Sequence, residues 1–296
     1  MEKKVPDNRE IYAEEFRRGV IRASKFFNLI KSRPKELEEH YRRVNWSICK
    51  NPLIWVFGEQ GVDEKRVHDS IKGMTRLVIA KYGLNLGFDI FSDSDYATGI
   101  LGDCYGTKDI TGPSGNAPFD NLVDRIREDY FNRGTIDGEI NVPHATVIIA
   151  NRSLKEPYAW GRTSGRFPLF VLSRDPSSVE MIAAHELIHL MDLDGQNYTK
   201  GDSNDPIQKG NCSNECLMSY GLRSDNLCLP CEAGLLGMLH GMDEVAKDHG
   251  FRLVQEDKKM DYVIRNGLED VLRKKQAIVG RSKNSRDFTE YYKQKK

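Results

Sequence analysis

A chain of 296 residues is long enough for one or two domains around a full hydrophobic core, which excludes a miniprotein scaffold dependent on disulfide staples. Hydrophobic content of 39%, charged content of 30% and a mean hydropathy of -0.57 exclude a membrane bundle and a low-complexity disordered chain. Formal net charge is zero, yet residues 1–45 carry 12 Lys/Arg against 8 Asp/Glu and residues 251–296 carry 13 against 7, leaving an acidic middle with 19 against 29.

The opening MEKKVPDNRE runs into charged, helix-forming sequence and not into an apolar stretch with a small-residue cleavage site, so no secretory signal is visible and a cytoplasmic location is expected. Apolar runs are too short to cross a bilayer, so no membrane partner is expected. Both basic ends interleave the two signs, which reads as solvated helical faces and not as a nucleic-acid arm. Six cysteines without an export signal point to metal before disulfides.

Ile11, Phe16, Val20, Phe27 and Ile30 recur at helical spacing among Arg and Glu, and Pro34 to Tyr41 predicts a second short helix. Residues 1–45 thus read as an N-terminal helical appendage. Pro52 to Gly58, apolar and aromatic-rich, predicts a buried strand. Val62 to Tyr82 returns to helical spacing through Val67, Ile71, Met74, Leu77 and Val78, and Gly83 can end it in the left-handed conformation. Leu84 to Phe91 predicts the next strand. Strand, helix and strand in about forty residues make a parallel crossover unit, the start of an α/β layer.

Ser92 to Asp120, rich in Gly, Asp, Ser, Thr and Pro, reads as a long loop, followed by a short helix over Phe119 to Phe131. Thr146 to Ala150 is a further buried strand, and Phe167 to Leu172 a last one whose Pro168 suits a sheet edge. Asp175 and Pro176 supply an N-cap and a first-turn proline, Ser177 with Glu180 can form a capping box, and Val179 to Met191 is a nearly continuous apolar helix. No internal repeat is present. Residues 251–296 read as a polar helical C-terminal extension to a central unit spanning 46–250.

The apolar helix contains His185-Glu186-Leu187-Ile188-His189. Histidines four apart stand one turn above each other on one face, so both imidazoles can reach a single zinc ion, and Glu186 beside it can take a proton from a bound water. Leaving these three polar groups unsatisfied in an apolar helix costs roughly 1–3 kcal/mol each, which argues against a purely structural role. Downstream stand Cys212-Ser-Asn-Glu-Cys216 and Cys228-Leu-Pro-Cys231. Two close thiol pairs joined by a short loop can surround one zinc tetrahedrally, a closed site that serves structure and not catalysis. A redox Cys-x-x-Cys is the competing reading. Cys49 and Cys104 stand alone and read as core thiols.

Between the cysteine pairs lies Leu217-Met218-Ser219-Tyr220-Gly221. The order HELIH and then a Leu-Met-Ser-Tyr turn resembles the metzincin clan of zinc metallopeptidases, and a methionine enclosed between Cys-x3-Cys and Cys-x2-Cys looks specifically like the archaemetzincins. The resemblance covers residues 185 to 231 and, more loosely, the strand and helix order from Pro52. It implies an α/β (α+β) fold: a metzincin-like twisted mixed sheet with a zinc-binding active-site helix, a four-cysteine zinc subdomain, and helical appendages at both ends. It further implies His185 and His189 as ligands of a catalytic Zn2+, Glu186 as general base, and Met218 beneath the site. Cys212, Cys216, Cys228 and Cys231 would hold a structural Zn2+, and Tyr220 stands where some metzincins use a tyrosine near the metal.

The family continues with a glycine three residues after the second histidine and a third histidine three residues later. Here Asp192 and Gly195 occupy those positions, and no histidine occurs between 190 and 239. Carboxylate oxygen also suits zinc, so Asp192, Asp194, Asp202, Asp205 or Glu232 is a candidate third ligand. The expected activity is peptide-bond hydrolysis with a peptide or protein substrate, aligned by strand addition along Phe167 to Leu172. The competing expectation is a zinc-binding protein impaired in catalysis, which contacts nucleic acid or a protein partner through its basic ends.

Overall fold

Apolar runs set by β-branched and aromatic residues build a mixed α/β fold. The protein is described by a computed structural model over residues 8–31, 51–106, 109–110, 117–133, 135–136, 139–140, 143–154, 161–163, 169–174, 178–191, 212, 215–219 and 224–248. Helix α1 (Asn8–Lys31) precedes strand β1 (Asn51–Gly58). Helix α2 (Glu64–Met74) follows, capped by the Asp63 side chain, which accepts from the Lys65 amide at 3.0 Å. It continues through a π-helical turn, Thr75–Ile79, into Ala80–Tyr82, and stops at Gly83, whose φ of 67° is left-handed as its sequence position predicts. Strand β2 (Gly87–Phe91) completes the expected parallel crossover.

Helix α3 (Asp95–Tyr105) lies inside the stretch that reads as a long loop, which corrects that expectation. Ser94 caps it by accepting from the Ala97 amide at 3.2 Å, and Ala97, Ile100, Leu101 and Tyr105 form its buried stripe. Helix α4 (Ala117–Arg133) is longer than its prediction. A two-stranded hairpin, β3 (Thr135–Ile136) with β4 (Glu139–Ile140), leads into β5 (Pro143–Ile149), then β6 (Gly161–Thr163), β7 (Leu169–Leu172), helix α5 (Val179–Met191) and helix α6 (Leu229–Asp248). The proposed helix at Pro34–Tyr41, the cap at Asp175, Pro176 and Ser177, Cys49, and the extension at 251–296 lie outside the described residues.

The main sheet has the order β2-β1-β5-β7-β6: four parallel strands and one antiparallel strand, β6, at the edge. The last parallel strand is therefore interior, not the edge that Pro168 suggests. It begins at Leu169, after the proline, so no ladder donor is missing, and all four of its side chains are buried. Along the parallel strands adjacent residues serve opposite faces. Ile54, Val56, Val147, Ile149, Phe170 and Leu172 join the core under α2, α5 and α6, while Phe57, Ile148, Leu169 and Val171 join the core under α3 and α4.

Just past the ends of β1 and β5, buried Glu59 accepts from Arg152 Nε at 2.7 Å and from the Asn151 amide at 2.8 Å. Helix α1, read as an appendage, contributes Tyr12 to the larger core and stacks Phe16 on His240 of α6 at 6.1 Å. No helix among the described residues is long and apolar enough to cross a membrane.

Candidate metal centres

Helix α5 is positioned from α2. Lys72 Nζ and Arg76 meet the two carboxylate oxygens of Glu180 at 2.7 and 3.3 Å, and Gly73 lies where a Cβ would come within 2.0 Å of the Glu180 carbonyl oxygen. Glu180 thus ties the two helices together.

This crossing sets His185 and His189 on one face, four residues apart. The His185 Nδ1 faces the Leu217 carbonyl oxygen at 2.8 Å. A carbonyl only accepts, so Nδ1 carries the proton and donates, and in the tautomer with the proton at Nδ1 the Nε2 is the acceptor. That Nε2 faces His189 Nε2 at 2.9 Å, with ring centroids 4.6 Å apart and planes at 76°. Burial, and secondarily the neighbouring His185, push the His189 pKa well below the usual imidazole range, which favours the neutral form that binds metals. His185 and Glu186 are buried at 8% and 7% exposure. Glu186 lies against β6: a Cβ added at Gly161 would stand 2.6 Å from its Cγ and 2.7 Å from its Oε1.

The second cluster gathers the four cysteines. Cys212, Cys216, Cys228 and Cys231 place all their sulfurs within 4.8 Å of one another, and they form an arrangement able to hold a metal ion. Cys212 Sγ is 3.6 Å from the Sγ of both Cys228 and Cys231, far beyond a disulfide bond and close to the edge of about 3.8 Å for a tetrahedron of sulfurs around zinc. The donor set therefore fits zinc. Cys216 Sγ accepts from the amides of Met218 at 3.4 Å and Cys228 at 3.3 Å, bonds that favour a thiolate. Burial pushes the Cys216 and Cys231 thiols well up, while hydrogen bonding from neighbouring sulfurs, Cys212 first, pulls Cys228 well down.

The cysteines are the one group of three or more potential ligand side chains brought together among the described residues. Glu186 consequently does not complete a three-ligand set with both imidazoles. Glu232 does not either; its carboxylate accepts from Tyr82 Oη at 3.2 Å, beside the cysteines that help to raise the Tyr82 pKa after burial. Asp192, Asp194, Asp202, Asp205 and Tyr220 lie outside the described residues. Two contributors escape a reading of motifs: the Leu217 carbonyl, a backbone group without a side-chain signature, and Gly161, which acts by the space it leaves. Cys104 is half-buried on the opposite face of the sheet, as a lone core thiol should be.

No protein-family model matches the chain, and no curated protein matches it significantly.

Proposed function

We propose that the chain is a zinc-dependent metallopeptidase, similar to the metzincins, in which His185 and His189 hold the catalytic ion and Glu186 is the general base. The observation that carries the reading is the convergence of the two Nε2 atoms at 2.9 Å, with the His185 ring already oriented by Leu217. When bound, zinc supplies Lewis acidity and an acidified water. Glu186 accepts the water proton at its carboxylate and delivers it to the departing amine, and its burial beside β6 keeps that transfer away from bulk solvent. Among the described strands β2 and β6 are the two edges of the main sheet, and β6 is the one that lies against Glu186. An extended peptide added there would run past Glu186 by way of Gly161. Strand addition thus belongs to β6 and not to Leu169–Leu172.

The test is Glu186→Gln. It should lower peptide hydrolysis by about 10²–10⁴-fold while metal content stays at two ions per chain. Hydrolysis at the unsubstituted rate would remove Glu186 from the reaction. The competing reading, a binding protein without turnover, predicts salt-sensitive association with nucleic acid and no peptide cleavage in the unsubstituted chain.

A further inference from the structure

The two clusters are joined by a single residue. Leu217 follows the cysteine ligand Cys216 directly, and its carbonyl is the acceptor for His185 Nδ1. The turn that presents this carbonyl is built around the cysteines. Its Leu217 amide donates to Asn226 O at 2.7 Å, its Met218 amide to Cys216 Sγ at 3.4 Å, and the Cys212 amide to Met218 O at 2.6 Å. The Cys228 amide also donates to Cys216 Sγ, and Cys231 lies in the first turn of α6, so the same four sulfurs tie the turn to the start of that helix. Leu217 and Met218 are fully buried, which leaves no solvent to replace the bond to His185.

We propose that the cysteine cluster and the imidazole pair are coupled through the Leu217 carbonyl, so that metal on the four thiols is what prepares His185 to bind metal. With the thiolates drawn to one ion, the turn has one conformation, the carbonyl sits 2.8 Å from Nδ1, and His185 is held in the tautomer whose Nε2 lone pair faces His189. With four separate thiols the turn loses its cross-link, the acceptor shifts, and both tautomers and ring rotamers become populated. Loss of such an orienting partner lowers metal affinity by about 10–100-fold. Reciprocity then requires that metal on the imidazoles tighten the thiolate site by the same factor. This inference rests on the reading of both clusters as metal sites, but not on peptide hydrolysis.

Cobalt(II) titration of the 296-residue chain, stripped of metal, tests it. Thiolate-bound cobalt has a charge-transfer absorption that imidazole-bound cobalt lacks, so the two sites read separately. The unsubstituted chain should bind two equivalents, the thiolate site filling first. Cys231→Ser should weaken the second, imidazole site by about 10–100-fold. A measurement without a substitution in the thiolate site decides the question should Cys231→Ser fail to fold: the ring-nitrogen NMR signals of His185 should show a mixture of tautomers in the metal-stripped chain and the Nδ1-protonated tautomer alone after one equivalent of zinc has filled the thiolates. An imidazole-site affinity unchanged within about twofold in Cys231→Ser, or a His185 tautomer mixture unchanged by the first equivalent of zinc, would overturn the coupling while leaving both metal sites standing. A single equivalent bound, at the thiolates alone, would overturn the coupling together with the metal reading of the histidines.

Discussion

At the scale of single residues, the space around Glu186 is as consequential as its charge. Gly161→Ala places a methyl group within 2.7 Å of the Glu186 carboxylate, and the atoms it meets belong to a side chain that can swing aside. We therefore expect a stability loss no larger than about 1–3 kcal/mol by denaturant titration, with unchanged metal content and at least a tenfold fall in peptide turnover. Turnover equal to that of the unsubstituted chain would show that Glu186 keeps its position against the added methyl group. Tyr12 offers a contrasting case. Its hydroxyl is buried without a hydrogen-bond partner among the described residues, and burial raises its pKa from 10.0 to about 12. Between those values the unfolded chain gives up the proton before the folded chain does, so stability falls as pH rises through that window and is unaffected below it. Tyr12→Phe keeps the ring and its stacking on Phe16, and should stabilise the protein by about 1 kcal/mol near neutrality and flatten the alkaline loss. A thermal-denaturation series from pH 7 to above pH 10 measures both effects.

Elements meet where glycine permits it, and the α2–α5 crossing is the example that bears on the site. Gly73→Ala improves intrinsic helix propensity by about 1 kcal/mol, yet its Cβ would lie 2.0 Å from a backbone oxygen of Glu180 that no rotamer change can move. The clash should dominate. We expect net destabilisation of about 1–3 kcal/mol in chemical denaturation and weaker metal binding at the imidazoles, and a stabilised variant would show that α5 can shift without loss. The elements also show what a sequence reveals. Helix α5 is legible because apolar residues run unbroken from Val179 to Met191 and carry the His-Glu-His spacing with them. Helix α3 is not, because Gly99, Gly102 and Asp103 give its segment the composition of a loop, although Ala97, Ile100, Leu101 and Tyr105 keep the helical period beneath it. The interior place of β7 depends on which strand pairs with it from elsewhere in the chain, and nothing local to Leu169–Leu172 records that. Likewise the cysteine pairs announce by their spacing a cluster able to hold a metal ion, whereas the carbonyl linking them to His185 belongs to the backbone and depends on the fold.

For the whole molecule, the cysteine cluster gathers Cys212, the 215–219 turn and the start of α6 against the same core that receives α1, α2 and α5. A metal bound there and absent from the unfolded chain stabilises the entire fold, by about 2.7 kcal/mol when free metal is at 100 times its dissociation constant. A strong chelator should therefore lower the melting temperature, and added zinc should restore it in a concentration-dependent way. A melting temperature indifferent to both would mean that the thiols carry no stabilising ion.

The two-faced strands carry one more implication. Because β1, β5 and β7 are apolar on both sides, sliding one against its neighbour by a single residue would still bury oil on either face, and hydrophobicity alone is a poor judge of alignment. Discrimination falls to the strand ends, where Glu59 finds the Asn151 amide and the Arg152 guanidinium only when Gly58 stands opposite Ile149. That inward-facing carboxylate works as a locating dowel, fixing the depth at which the central strands seat, and through β7 and its partner β6 the height at which Gly161 meets Glu186.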